Sequence, residues 1–401
     1  MSKKILIVTE YFYPEEFKIN EVAQEWKNKG YEVDILTQNP TYPFGKVFDG
    51  YKNRFFSKEI YNGMTIYKVK AITGYKTSLF KKLLKYFSFM VLGSIVSLRI
   101  GQRYDYVFGF DVGALTGMVP AIILKQFYQK PVTLWVQDVW PDSVYAYGFK
   151  KTKLLEFFLN RFVKYIYRYS SNFAISTNGF EQKILPYLEA TKEIIYAPNW
   201  ADYLNKNLNN FAFSEDDKIH FTFAGNVGMV QNLENIITAF GKLDDEYLDK
   251  VQLNIIGDGS NLENLQNIVK NNNYKNIIFW GRIPKNKIYQ YLNASDFLII
   301  SLIDKEIFSL TLPAKIQTYI AAGKPIIAII KGEVATMVQK YNLGLIASPS
   351  DIKEIKSVLQ EAINQDKEQK ISYITNSGFL TETVFNKKII IDNLLRLLER
   401  G

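Results

Sequence analysis

The feature that most constrains this chain is a rhythm: short β-branched or apolar runs alternate with longer helix-compatible stretches along its whole length. That order builds parallel sheets from βαβ units. In the first half, strands are expected at Ile5–Thr9, Glu32–Thr37, Tyr106–Phe108, Val132–Gln137, Asn172–Ile175 and Ile194–Ala197. In the second half they are expected at Ile219–Phe223, Gln252–Ile256, Ile277–Trp280, Phe297–Ser301, Pro325–Ile329 and Leu343–Ile346. The pattern starts over after an acid- and Asn-rich stretch, Ala201–Lys218. The restart predicts an α/β protein of two Rossmann-like, doubly wound parallel-sheet domains, 1–198 and 199–401, facing across a cleft. The length, 401 residues, suits two such domains. The last helical stretch, about 383–400, has a continuous apolar face and is expected to pack back on one of the domains, the first being a candidate.

Composition removes several chemistries. There is no cysteine, which excludes disulfides, zinc–thiolate sites and thiol nucleophiles, and a single histidine, His220, leaves little for metal sites or Ser–His relays. The net charge of +9 is carried by the first half: residues 1–200 hold 27 Lys+Arg against 17 Asp+Glu, and residues 201–401 hold 22 against 23. Residues 51–100 alone have ten basic residues and one acid, Glu59. Within this block Lys76, Lys81, Lys82 and Lys85 precede the thirteen-residue apolar run Tyr86–Leu98, too short to span a bilayer. Residues 76–98 therefore either lie on an anionic membrane surface or form a core helix with a solvated lysine face. Nucleic acid is not expected as a partner, because the basic block surrounds an apolar helix and not exposed aromatic strands. The start, MSKKILIVTEYF, predicts a cytoplasmic chain, peripheral on the inner face of the membrane if residues 76–98 dock there.

Ligands of doubly wound sheets bind beyond the carboxyl ends of the strands. Three of the expected strands end in glycine: Gly225-Asn226-Val227-Gly228, Gly257-Asp258-Gly259 and Gly281-Arg282. Such turns let the backbone approach a phosphate, and a following helix offers free N–H groups. Farther on, Ser309 and Thr311 are expected to cap a helix that carries Lys315 near its start. A lysine at that end of a helix is either tolerated on the surface or compensated by an anion, and the second case places a diphosphate among Lys315, Arg282 and the Gly225–Gly228 loop. Asp138, after Val132–Gln137, is either a carboxylate acting on a sugar or a cap for the helix after Trp140-Pro141. Tyr13, Asn20 and Tyr42 follow the first two strands and either meet a sugar face or pack their loops. With no Asp-x-Asp at a strand end, neither metal nor cofactor is expected.

These motifs, with Asn39-Pro40-Thr41-Tyr42-Pro43, Asp138-Val139-Trp140-Pro141-Asp142-Ser143 and the run Thr311-Leu312-Pro313-Ala314-Lys315 through Gly323-Lys324-Pro325, resemble the bacterial nucleotide-sugar glycosyltransferases of family 4. The branch is that of capsule, O-antigen and colanic-acid repeat units. The resemblance implies a GT-B fold and transfer with retention. It implies a nucleotide-sugar donor in the second domain, expected to be UDP-linked, an N-acetylated sugar being one case of it, and a polyprenyl-pyrophosphate-linked saccharide acceptor in the first. By it the donor set comprises Gly225, Asn226, Gly228, Gln231, Gly257, Asp258, Ser309, Thr311, Leu312 and Glu333. The catalytic set comprises Asp138, Arg282, Lys315 and Glu306. The family's paired glutamates would fall at Leu310 and Thr318, so Glu306 is the nearest replacement; its usual cations would fall at Asn226 and Gln231, which leaves Arg282 and Lys315. The competing expectations are a sugar-nucleotide epimerase on the same scaffold and a non-catalytic subunit of a polysaccharide assembly complex.

Overall fold

In the computed structural model, which describes residues 2–75, 79–146, 149–201, 211, 213 and 217–401, the chain forms two compact units. One comprises 1–198 with 388–401, the other 199–387. Most of the stretch where the sequence pattern restarts, and Lys76 of the basic block, lie outside the described residues.

The first unit is built on eight strands: β1 Lys4–Thr9, β2 Glu32–Gln38, β3 Phe56–Tyr61, β4 Met64–Val69, β5 Tyr106–Asp111, β6 Val132–Val136, β7 Asn172–Ile175 and β8 Ile194–Tyr196. Their order is β3-β4-β2-β1-β5-β6-β7-β8, parallel throughout except for β3, which runs antiparallel to β4. Helices cover both faces, so β5 and β6 are buried along nearly their whole length. The β3–β4 hairpin is absent from the sequence expectation, because its charged residues and the alternating exposure of β3 break the apolar-run criterion. Its signal is nonetheless present: Asn62 and Gly63 sit at φ 48° and 72°, the left-handed pair that an Asn-Gly hairpin turn requires.

The helices of this unit that matter below are α1 (Lys18–Asn28), α2 (Leu79–Ile100), α3 (Val119–Tyr128), α4 (Asp142–Ala146) and α5 (Lys153–Tyr169). At 22 residues, or about 33 Å, α2 is longer than the apolar run at its centre and long and apolar enough to cross a membrane. Its inner face, however, belongs to the core: Phe89 and Val96 are buried, and a Cβ at Gly93 would lie 2.9 Å from Pro120 of α3. Lys85 is buried on the same helix and hydrogen-bonds the Tyr11 hydroxyl, so it is withdrawn from any membrane-facing set. Lys68 is likewise buried, 2.5 Å from Glu59. The outer face of α2 exposes Leu83, Leu84, Phe87, Val91 and Ile95. The last helix, Lys387–Glu399, packs on the first unit: Trp26 donates to the Ile391 carbonyl and Asn172 to that of Leu397.

The second unit has six strands, all parallel: β9 Ile219–Ala224, β10 Val251–Ile256, β11 Ile277–Gly281, β12 Phe297–Ser301, β13 Ile326–Ile329 and β14 Gly344–Ala347. The order β11-β10-β9-β12-β13-β14 reverses between β9 and β12, as the first sheet reverses between β1 and β5. Those two reversals are where each sheet opens a crevice at its carboxyl edge.

Candidate functional site

In the second unit the ends of β9, β10 and β11 and the helix Lys315–Ala322 line a pocket of about 640 Å³. Two of its loops lie backbone on backbone. Gly225 N–H donates to the Ile256 carbonyl at 2.9 Å and Val227 N–H to that of Asp258 at 2.9 Å. A Cβ on Gly257 would fall 1.8 Å from the Gly225 carbonyl oxygen, and Gly257 holds φ at +138°, so no other residue fits. The Tyr319 hydroxyl clamps the end of β9, accepting from Ala224 N–H at 2.9 Å.

Lys315 is the unusual member. Its ammonium is buried, makes no hydrogen bond, lies 3.9 Å from the centre of the Phe223 ring and points at Gly225, where a Cβ would come within 2.9 Å of it. Burial without a counter-charge pulls its pKa down to about 7. A buried donor of this kind is expensive to leave unpaired. Arg282 is exposed at the rim of the same pocket, and Asn226 and Asp258 line it. The pocket's lining also includes Lys285 and Thr318, which sequence reasoning did not select.

The other expected donor residues fall elsewhere. Gln231 accepts from Gly228 N–H at 3.0 Å and from the Asn226 amide at 3.3 Å, so it shapes the loop instead of lining the pocket. The Ser309 and Thr311 hydroxyls bond the carbonyls of Glu306 and Phe308 in their own turn; neither caps the helix of Lys315, whose N-cap is Ala314. The capping expectation is thus corrected: the short helix Glu306–Ser309 intervenes and uses those hydroxyls itself. Glu306 is exposed, and with Leu312 and Glu333 it lies outside the pocket lining. Gly332, before Glu333, presses on the Ser309 backbone, which gathers these residues into a neighbouring loop cluster.

The first unit concentrates acid at its own crevice. Glu10 directly follows β1, Asp111 ends β5, and Asp138 follows β6. All three carboxyls are pushed up by burial: Asp138 to about 6, Asp111 well above the usual range by burial and the charges of Asp138 and Glu10, and Glu10 upward against the opposing pull of Lys85 3.7 Å away. Asp138 accepts from Gly113 N–H at 3.1 Å and does not cap α4, which removes that alternative. The sequence expectation selected neither Glu10 nor Asp111; its strand Tyr106–Phe108 stops short of Asp111, whereas β5 continues through Gly109 to it.

Nearby, Glu15 joins two loops by accepting from Thr41 N–H at 2.8 Å and Tyr42 N–H at 2.6 Å, and burial lifts its pKa to about 7. Asn20 donates to the Glu15 carbonyl at 2.7 Å. The Tyr42 ring, half exposed, meets those of Tyr11 and Phe17, each at 5.4 Å, whereas Tyr13 stacks on Tyr61 at 3.8 Å. Among the described residues no group of three His, Cys, Asp or Glu could hold a metal ion. His220 lies near the start of β9, at the edge of the sheet away from the pocket.

Residues 205–377 match the family of glycosyl transferases group 1. WbjE of Pseudomonas aeruginosa, named as a glycosyltransferase, is 25% identical over 63% of this chain, which spans 66% of its length, just under two thirds. WcaI of Escherichia coli K12, named as a colanic acid biosynthesis glycosyl transferase, is 21% identical over 87% of this chain and 88% of its own. A solved structure of trehalose-6-phosphate from E. coli bound with UDP-2-fluoro glucose superposes with a TM-score of 0.72 over 100% of this chain and 99% of that one, at 9% identity. Residues 205–377 therefore carry the likeness to the glycosyl transferases group 1 domain, and the chain's two parallel-sheet α/β units have the GT-B fold.

Proposed function

We propose that the protein moves a sugar, with retention and without a metal, from a nucleoside-diphosphate sugar to a polyprenyl-pyrophosphate-linked saccharide during cell-surface polysaccharide assembly at the inner face of the cytoplasmic membrane. The observation that carries the donor half is the buried, unpartnered ammonium of Lys315 beside the Gly225 turn. A diphosphate there supplies the missing counter-charge, and Arg282 at the rim supplies a second cation. Breaking the sugar–phosphate bond leaves negative charge on the diphosphate and positive charge on the anomeric carbon. Lys315 and Arg282 stabilise the first as it develops; a carboxylate such as Asp138 suits the second. UDP is the expected nucleotide, on the resemblance and on the UDP-2-fluoro glucose in the superposed structure. The polysaccharide assignment is supported by the name of WcaI. A sugar-nucleotide epimerase finds no histidine at the pocket, since His220 sits at the other edge of its sheet.

The test is thermal denaturation with UDP-, GDP-, dTDP- and ADP-sugars. A ligand at 100 times its dissociation constant adds about 2.7 kcal/mol, so one base should raise Tm clearly and Lys315→Met should abolish the shift. A melting temperature unmoved by every nucleotide sugar would refute the donor assignment.

A further inference from the structure

The first unit holds a second cavity, of about 390 Å³, between α2 and α5. Its volume is within the roughly 300–1,000 Å³ of small-molecule sites. Phe87 and Met90 of α2, Phe158 and Phe162 of α5, and Trp140 form its walls. The polar groups within reach are already used: the Thr116 hydroxyl donates to the Tyr86 carbonyl at 3.1 Å, and Trp140 Nε1 donates to the Gly113 carbonyl at 3.2 Å. Such a cavity selects hydrocarbon over sugar, nucleotide or peptide. Phe87 and Phe158 are 51% and 60% exposed at its mouth, and the apolar surface runs on through Val91 and Ile95 of α2 and Leu154 and Phe157 of α5. The same two helices expose Lys81 and Arg99 (α2) and Lys153 and Arg161 (α5). The two helices carry one acid between them, Glu156, paired with Lys151 at 2.9 Å. An apolar centre on two helices that also expose cations fits an anionic bilayer surface.

We infer that this cavity seats a prenyl chain of the lipid-linked acceptor, taken up from an anionic bilayer on which α2 and α5 rest; the inference builds on the acceptor proposed above. The acceptor's chain is preferred to bulk lipid because of Gly113. It forms part of the cavity wall, and its N–H holds the Asp138 carboxylate at 3.1 Å. A chain seated there leaves its polar head at the carboxyl edge of the first sheet, beside the carboxylates.

Two measurements on the full chain test this. Farnesol, a prenyl chain without phosphate, cannot report on the Lys315 pocket. It is expected to raise Tm, and Val144→Phe, which fills the cavity, and Phe158→Ser, which removes a half-exposed ring from its wall, should each weaken binding by roughly tenfold or more. UDP-glucose should stabilise both variants as it does the parent, which separates a lost cavity from a lost fold. Flotation with phosphatidylglycerol vesicles should strengthen several-fold on doping with undecaprenyl phosphate, and Val144→Phe should remove the increment. Absence of farnesol binding overturns the cavity assignment while a surviving undecaprenyl-phosphate increment leaves the lipid acceptor standing. Farnesol binding without that increment, or flotation indifferent to it, means bulk-lipid docking and overturns the acceptor-chain assignment.

Discussion

Donor binding should take up a proton, and the amount follows from Lys315. With its pKa near 7 from burial alone, the lysine is about 90% neutral at pH 8 and about 10% neutral at pH 6. A diphosphate within reach of the ammonium restores the charged form and raises its pKa well past 8. Binding at pH 8 should therefore draw about 0.9 proton from solvent, and binding at pH 6 about 0.1. The same linkage weakens affinity by about tenfold, or about 1.4 kcal/mol, between pH 6 and pH 8. Stability without ligand carries the opposite sign. The unfolded lysine keeps its ordinary pKa, so the unfolded state binds more protons between about pH 7 and 10.5, and stability rises with pH across that window. The assay is isothermal titration calorimetry in buffers of different ionisation enthalpy, using the nucleotide sugar. Free UDP is unsuitable because its terminal phosphate titrates near pH 6. Lys315→Met should lose both the proton uptake and the pH dependence. Uptake under about 0.2 proton at pH 8, with affinity flat from pH 6 to 8, would refute the reasoning.

Asp138→Asn should lower turnover by roughly 10²–10⁴-fold with Tm unchanged or slightly raised, because the buried carboxyl is already pushed up to about 6; initial rates and melting curves check both, and a normal rate removes Asp138 from the chemistry. Gly257→Ala should destabilise by several kcal/mol, since its Cβ would meet the Gly225 carbonyl at 1.8 Å, whereas Gly281→Ala, with open space at φ +65°, should cost only about 1 kcal/mol; chemical denaturation distinguishes them, and equal losses would show that the loop contact does not matter. Chelator-treated protein should keep its turnover, and restoration of a lost rate by magnesium or manganese would contradict metal-free transfer.

Much of the fold was legible because parallel strands buried on both faces leave mostly apolar runs, as in Val132–Val136 and Phe297–Ser301. What escaped was whatever departs from that rule. The β3–β4 hairpin lies at a sheet edge and carries Lys58, Glu59 and Lys68, so burial on one side leaves no continuous run. The pocket residues Gly225, Gly257 and Arg282 were legible because each follows a strand, a local property of the chain. Lys315 was chosen for its place on a helix, but the fact that distinguishes it, an ammonium with no partner over Phe223, depends on residues far apart in sequence. The same holds for Glu10, Asp111 and Asp138, which come together only because β1, β5 and β6 are neighbours in the sheet.

The two crevices also differ in the kind of ionisable group they bury, basic in one and acidic in the other, and that difference bears on mechanism. Burying ionisable groups without neutralising partners lowers stability, yet each unit does so at the point where its strand order reverses. The second does it with a cation, Lys315, and the first with carboxyls, Glu10, Asp111 and Asp138, against one buried lysine, Lys85. Neither arrangement helps its own sheet fold, because apolar side chains of similar volume would pack there without the desolvation penalty. A sugar transfer develops an anion on the leaving diphosphate and a cation at the anomeric carbon, and a buried group that ionises to the opposite sign is driven into its charged form as such a charge appears beside it. On this argument, replacing Lys315 with Met and, separately, Asp111 with Asn should each raise Tm while lowering turnover. A variant that lost both stability and rate would instead mark its residue as part of the scaffold.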